Sequence, residues 1–217
     1  MGTQSINIGI ERKNTIELKR LQNAIVFVMA NLVESRDKIT GGHIERTSRY
    51  IKILMEAMVN EGLYWEEMVE WDLDTAVASA RLHDIGKISV PDQILNKPSK
   101  LTPDEFMKIR NHTTEGKQII DQMIAQTGNT QFLHHAKLFA EYHHERWDGK
   151  GYPHGLKGKE IPLQGRIMAI VDVYDALVSE RPYKPSFPHE KAIAIIQKDS
   201  GTSFDSQIVE IFLRLFK

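Results

Sequence analysis

Two observations predict an all-α chain. Apolar residues recur at spacings of three and four in segment after segment, the period of an amphipathic helix. No stretch of alternating polarity is long enough to require a strand, and there is no internal repeat. At 217 residues the chain can bury a sizeable core as one generous domain, or as one domain with an attached arm. Hydrophobic content of 41% and charged content of 26% are those of an ordinary globular protein.

The elements follow in order. Residues 1–13 read as an unstructured tail. Between Asn14 and Arg36, Leu18, Leu21, Ile25, Val28 and Leu32 form a heptad pattern. This segment is either an amphipathic helix docking on the domain, or a coiled-coil arm that forms a homodimer or connects to an upstream regulatory domain. Residues 1–33 are therefore assigned to a tail and arm, and 34–217 to the main domain. A second helix runs from about His43 to Asn60 with Ile51, Leu54, Met55 and Met58 as its buried stripe, and Gly62 ends it. A short one follows over Glu66 to Trp71. Asp74 then reads as the N-cap of a helix that carries through Leu82 to His83 and Asp84. Thr102-Pro103-Asp104-Glu105 is a helix start with Thr at the cap and Pro at the first position. That helix is expected to end near His112, with others over Glu115–Gln126 and Gln131–His144. Residues 145–163 form a long Gly- and Pro-rich stretch, a length that usually signals function. Helices over Leu163–Val178, Pro188–Lys198 and from an Asp205 cap to Phe216 complete the chain.

Composition excludes some functions. A formal net charge of -1 gives no basic field for a nucleic-acid backbone, so no DNA partner is expected. No apolar run approaches the roughly 20 residues of a membrane span, and no signal-peptide layout opens the chain, so no membrane partner and a cytoplasmic location are expected. The absence of cysteine removes disulfides, thiolate nucleophiles and Cys-type zinc sites. No Gly-x-Ser-x-Gly marks a serine hydrolase.

The chemistry is concentrated in two places, His83-Asp84-Ile85-Gly86-Lys87 and His143-His144-Glu145 followed by Asp148-Gly149-Lys150-Gly151-Tyr152-Pro153. Paired imidazoles and carboxylates are poor core material and good metal ligands. On one helix, His83 and Asp84 would point about 100° apart, with the carboxylate able to bridge two ions while the imidazole binds one. Two metals about 3.5–4 Å apart activate water as hydroxide at neutral pH and clamp the oxygens of a phosphoester, with a hydroxide bridging the metals. Lys87, one turn after His83, could reach a phosphate oxygen there. His134-His135 has no adjacent acid or glycine loop and reads as surface or as support behind the site, while His154 and His189 read as loop residues.

These two segments together resemble the HD-GYP family of the HD phosphohydrolase superfamily, and the likeness runs from about Glu34 to the C-terminus. It implies an HD-type helical bundle with two or three metals, often Fe or Mn, that hydrolyses cyclic-di-GMP to linear pGpG or on to GMP. By motif, His43, His83, Asp84 and Asp172 are implied ligands of one metal. Asp84 as bridge, His112, His143 and His144 are implied ligands of the other. Asp175 shares a helical face with Asp172 and could support it. Asp37, Lys87, Tyr152, Arg181 and Lys184 are implied near the substrate, with Asp84 and Lys87 catalytic. Three-metal members carry Glu four residues before the first ligand His, where this chain has Ile39, so two divalent ions are expected. The alternatives are a phosphohydrolase for another nucleotide, or a non-catalytic nucleotide-binding or protein-interaction module.

Overall fold

The computed structural model describes residues 2–36, 41–180 and 186–216, with side chains described from Lys13 onward. All regular structure among them is helical: α1 (Gly2–Glu34), α2 (His43–Asn60), α3 (Trp65–Met68), α4 (Leu73–Ala80), a 3-10 turn (Ile85–Ser89), α5 (Asp92–Leu95), α6 (Pro103–Arg110), α7 (His112–Thr127), α8 (Gln131–Tyr142), a second 3-10 turn (Gly158–Glu160), α9 (Leu163–Val178), α10 (His189–Lys198) and α11 (Ser206–Leu215). No helix among the described residues is long and apolar enough to cross a membrane.

The centre of the bundle is α9. Every residue from Leu163 to Val171 is buried, so this helix is apolar around most of its circumference. Its polar members are satisfied internally: Arg166 donates to Glu67 at 2.8 Å and Asp205 at 3.2 Å, and Gln164 meets His135 at 2.8 Å. On one flank, Ile51, Leu54, Met55 and Met58 of α2 pack with Phe139 of α8 and Phe212 of α11. Each such side chain contributes about 1.5–3 kcal/mol by leaving water. On the other flank, a second cluster joins Val26 and Val33 of α1 to Leu82, Ile85, Ile120 of α7 and Ala136 of α8. Phe139 faces one cluster and Ala136 the other, so α8 lies between the two and its C-terminus is held from both sides.

Four expectations are corrected. The chain is helical from Gly2, not an unstructured tail: no proline interrupts residues 1–34, and one long helix forms. The heptad stripe is not the docking face. Val26, Ala30 and Val33 dock, while Leu18, Leu21, Ile25, Val28 and Leu32 are 51–66% exposed. Asp72, not Asp74, caps α4 by accepting from the Thr75 backbone N–H. Finally, α4 stops at Ala80, so His83 and Asp84 occupy the turn that leads into Ile85–Ser89 and are not on a helix. Other starts form as read. Thr102 and Glu105 complete a capping box, and Asp205 caps α11 through the Gln207 N–H.

Candidate metal centre

Five segments meet at one place: the start of α2, the turn after α4, the start of α7, the end of α8 and the middle of α9. Each delivers a ligand-type side chain, and the turn and the end of α8 each deliver two. His43, His83 and Asp84 form one group with donor atoms within 4.8 Å of one another, and His112, His143 and His144 form another. Asp84 stands between them. Its Oδ2 lies 3.2 Å from His83 Nε2, while its Oδ1 lies 3.4 Å from His112 Nε2 and 3.7 Å from His143 Nε2. Asp172 Oδ1 is 3.6 Å from His43 Nε2 and extends the first group. The turn makes this possible, since two neighbouring side chains off a helix need not diverge by about 100°.

The outer nitrogens of four of the five imidazoles are occupied. Nδ1 of His83 meets the Ala80 carbonyl at 3.0 Å, that of His112 the Ile109 carbonyl at 2.6 Å, and that of His143 the Phe139 carbonyl at 3.0 Å. His43 Nδ1 meets Asp175 Oδ2 at 2.8 Å. Such acceptors hold the proton on Nδ1 and turn the Nε2 lone pair inward, the state of a metal-ligating histidine. Facing Nε2 atoms approach to 3.4 Å between His43 and His83 and to 3.1 Å between His112 and His143. Two neutral lone pairs at that range repel, whereas a cation between them is attracted to both. The cluster of imidazoles and carboxylates therefore fits divalent ions bound through nitrogen and oxygen.

Electrostatics agree for the second histidine group. Burial, reinforced by the neighbouring imidazoles, holds His143 well below the ordinary histidine range and His144 at about 4. Burial also lowers His112. His43 goes the other way: burial opposes its charge, but the hydrogen bond to Asp175 and the nearby Asp172 outweigh it. Burial likewise opposes ionisation of Asp84, and the Lys87 ammonium and His83 outweigh it, keeping the carboxyl well below its usual range. Lys87 Nζ sits 2.8 Å from Asp84 Oδ2.

Several further contacts shape the centre, and the sequence did not single out Arg46, Arg36 or Glu34 for them. Arg46 donates to Asp175 at 2.6 and 3.0 Å, gripping the carboxylate that orients His43; its place three residues after His43, on the same face, was the available signal. Arg36 donates to the carbonyls of Ile88 at 2.7 Å and Val90 at 2.9 Å, pinning the 3-10 turn to the end of α1. Glu34 accepts from the His43 backbone N–H at 3.1 Å. Glu145 is buried and accepts from the N–H groups of His154, Gly155 and Leu156, which organises the loop carrying Tyr152. Gly151 permits this fold-back, since a Cβ there would meet Arg146 N at 2.3 Å. Tyr152 lies 4.7 Å from the His144 ring.

The surface reading is corrected for His135, which is buried against Trp71 and bonded to Gln164, and holds for His134, which is exposed. His189 begins α10 and meets the Tyr174 hydroxyl, so it is not a loop residue. The expectations for Asp37, Ile39, Arg181 and Lys184 fall outside the described residues.

Comparison with known proteins gives a consistent result. The chain is 46% identical over 198 residues to a "Probable cyclic di-GMP phosphodiesterase" of Vibrio cholerae, covering 91% of this chain and 45% of the relative. It is 40% identical over 193 residues to a "Cyclic di-GMP phosphodiesterase" of Thermotoga maritima, covering 89% and 49%. It is 35% identical over 210 residues to a "3'3'-cGAMP-specific phosphodiesterase 2" of Vibrio cholerae, covering 95% and 38%. The chain thus spans less than half the length of these relatives. A crystal structure of a cyclic GMP-AMP specific phosphodiesterase from V. cholerae shares the fold, with a TM-score of 0.50 at 20% identity over 88% of this chain and 48% of that one. The sequence model of the HD domain matches residues 28–208, and with that match, the clustered imidazoles and the Gly151-Tyr152-Pro153 loop, the chain belongs to the HD domain family as an HD-GYP-like member.

Proposed function

We propose that this chain is a phosphodiesterase that binds two divalent metal ions and hydrolyses cyclic-di-GMP to linear pGpG. The observation that carries the reading is the division of Asp84, one carboxylate oxygen toward each histidine group. His43, His83, Asp84 and Asp172 would hold one ion, and Asp84, His112, His143 and His144 the other. Bound there, two divalent ions would activate water and neutralise charge on the phosphoryl oxygens. Fe or Mn suits a donor set of imidazole and carboxylate without thiolate.

The chain's own residues account for the remainder. Water adds to phosphorus, the P–O3′ bond breaks, and the departing O3′ takes a proton. Lys87, held beside Asp84, is the cation placed to stabilise that oxygen and donate to it. Tyr152 projects from its braced loop toward His144 and contacts the nucleotide. Relatives named for cyclic di-GMP match at 36–46% identity and those named for 3'3'-cGAMP at 33–35%, which favours cyclic-di-GMP.

Metal analysis of Fe- or Mn-loaded protein, with chromatography of cyclic-di-GMP incubations, tests this. Two ions per chain and pGpG as the product are expected. His83→Ala and Asp84→Ala should each abolish turnover and reduce bound metal. Three ions per chain would overturn the two-metal assignment. A full metal complement with no linear product would instead mark a binding module.

A further inference from the structure

A cavity of about 390 Å³ opens beside the metal centre on the Tyr152 side and shares His143, His144 and Asp172 with it. The cavity on the His43 side, which also shares His144 and Asp172, is tighter at about 160 Å³. Only the larger falls in the size range of small-molecule sites, about 300–1,000 Å³. Its walls are partly apolar, with Phe106, Ala169, Val173 and Phe204. Arg110, the last residue of α6, stands over the Tyr152 ring at 4.5 Å. Arg146 lines the same cavity but is paired with Asp148 at 3.0 Å, whereas no carboxylate among the described residues pairs with Arg110. A guanidinium held over an aromatic ring keeps N–H groups free to donate hydrogen bonds into the cavity.

We propose that this cavity holds the non-reacting nucleoside of the substrate and that Arg110 reads its guanine, donating to O6 and N7. The inference rests on the cyclic-dinucleotide reading above. Apolar walls suit a purine face, and a fixed guanidinium fork matches the two acceptors that guanine presents side by side. Adenine offers an amino donor in place of O6, so the same fork is mismatched to it. Arg110 is then a specificity-determining residue, with Tyr152 as the platform that orients it.

Affinities for cyclic-di-GMP and cyclic-di-AMP are measured by calorimetry on the metal-stripped chain, and kcat and KM on the Mn-loaded chain. Arg110→Ala should weaken cyclic-di-GMP about tenfold or more, raise its KM in parallel, and change kcat far less. The preference over cyclic-di-AMP should fall by a similar factor, and Arg110→Lys should recover part of the loss. Equal losses for both nucleotides, or an unchanged cyclic-di-GMP affinity, would overturn the role of Arg110 alone. Failure of the wild-type chain to bind or cleave cyclic-di-GMP would sink the substrate reading, and this proposal with it.

Discussion

Gly86 sets the spacing between the two histidine groups, and replacing it with alanine tests that directly. The 3-10 turn that follows Asp84 lies against the first turn of α7. A Cβ on Gly86 would sit 1.9 Å from the His112 carbonyl oxygen, 2.4 Å from Gly116 N and 2.8 Å from the His112 carbonyl carbon. All three are backbone atoms, so no rotamer change relieves the contact. Reaching an ordinary 3.4 Å requires the segments to part by 3.4 − 1.9, or 1.5 Å. Overpacking of this kind costs about 1–3 kcal/mol, and the lower chain entropy of alanine returns about 0.4–1 kcal/mol at most. A net loss of about 1–2 kcal/mol corresponds to a melting temperature lower by about 2–8 °C in a chain of this size. The larger consequence is at the site. His112 moves with its carbonyl, and its Nε2 starts only 3.4 Å from Asp84 Oδ1. A displacement of about 1 Å can cost a hundredfold in a reaction that depends on placement. Gly86→Ala should therefore fold, melt earlier, and lose one metal before the other when titrated with a chelator. Wild-type melting together with a full metal complement would refute the reasoning.

Asp175→Ala leaves Arg46 without its bidentate partner and His43 without the acceptor that orients its ring; metal affinity should fall about 10–100-fold by chelator competition. His135, held at about 4 by burial and by neighbouring His134, has a folded pKa below the ordinary 6.5. Its stabilisation is complete above about pH 6.5 and is lost as pH falls toward 4, by about 2–3 kcal/mol. Denaturant titrations of metal-stripped protein at several pH values should show a shallower acid slope in His135→Gln than in wild type; equal slopes would exclude this role. The exposed heptad stripe predicts self-association of α1 through a second copy. Leu21→Lys with Ile25→Lys should sediment as a monomer where wild type does not, with bound metal unchanged.

Local signals carried much of the fold into the sequence. Thr102 and Glu105 lie three residues apart, and their capping box needs nothing from elsewhere in the chain. The bounds of α9 follow from Pro162 before it and from an apolar run long enough to be central. What stayed hidden depends on distant contacts. Leu18 to Leu32 read either as a docking stripe or as a coiled-coil arm because periodicity identifies an apolar face without saying what covers it. Val26, Ala30 and Val33 make an equally apolar stripe, and only Leu82, Ile85 and Ile120 decide between them. Arg110 gave no signal, because its meaning depends on a tyrosine forty-two residues later (Tyr152).

The site shows the same limit in its best-marked motif. His83 and Asp84 are adjacent, and the helix read from an Asp74 cap through Leu82 would have carried them on and separated them. The chain leaves the helix at Ala80 instead, and three separate constraints hold the turn in place. Arg36, just beyond α1, gathers its carbonyls, Lys87 returns to Asp84, and Gly86 lets it rest on the backbone of α7. The third constraint also places His112. The contact that packs the turn into the bundle is thus the contact that sets the distance between the carboxylate and the second histidine group. Stability and metal affinity should therefore fall together for substitutions along the turn–α7 contact. They should separate for Asp175, which orients His43 from outside the cluster without holding the turn.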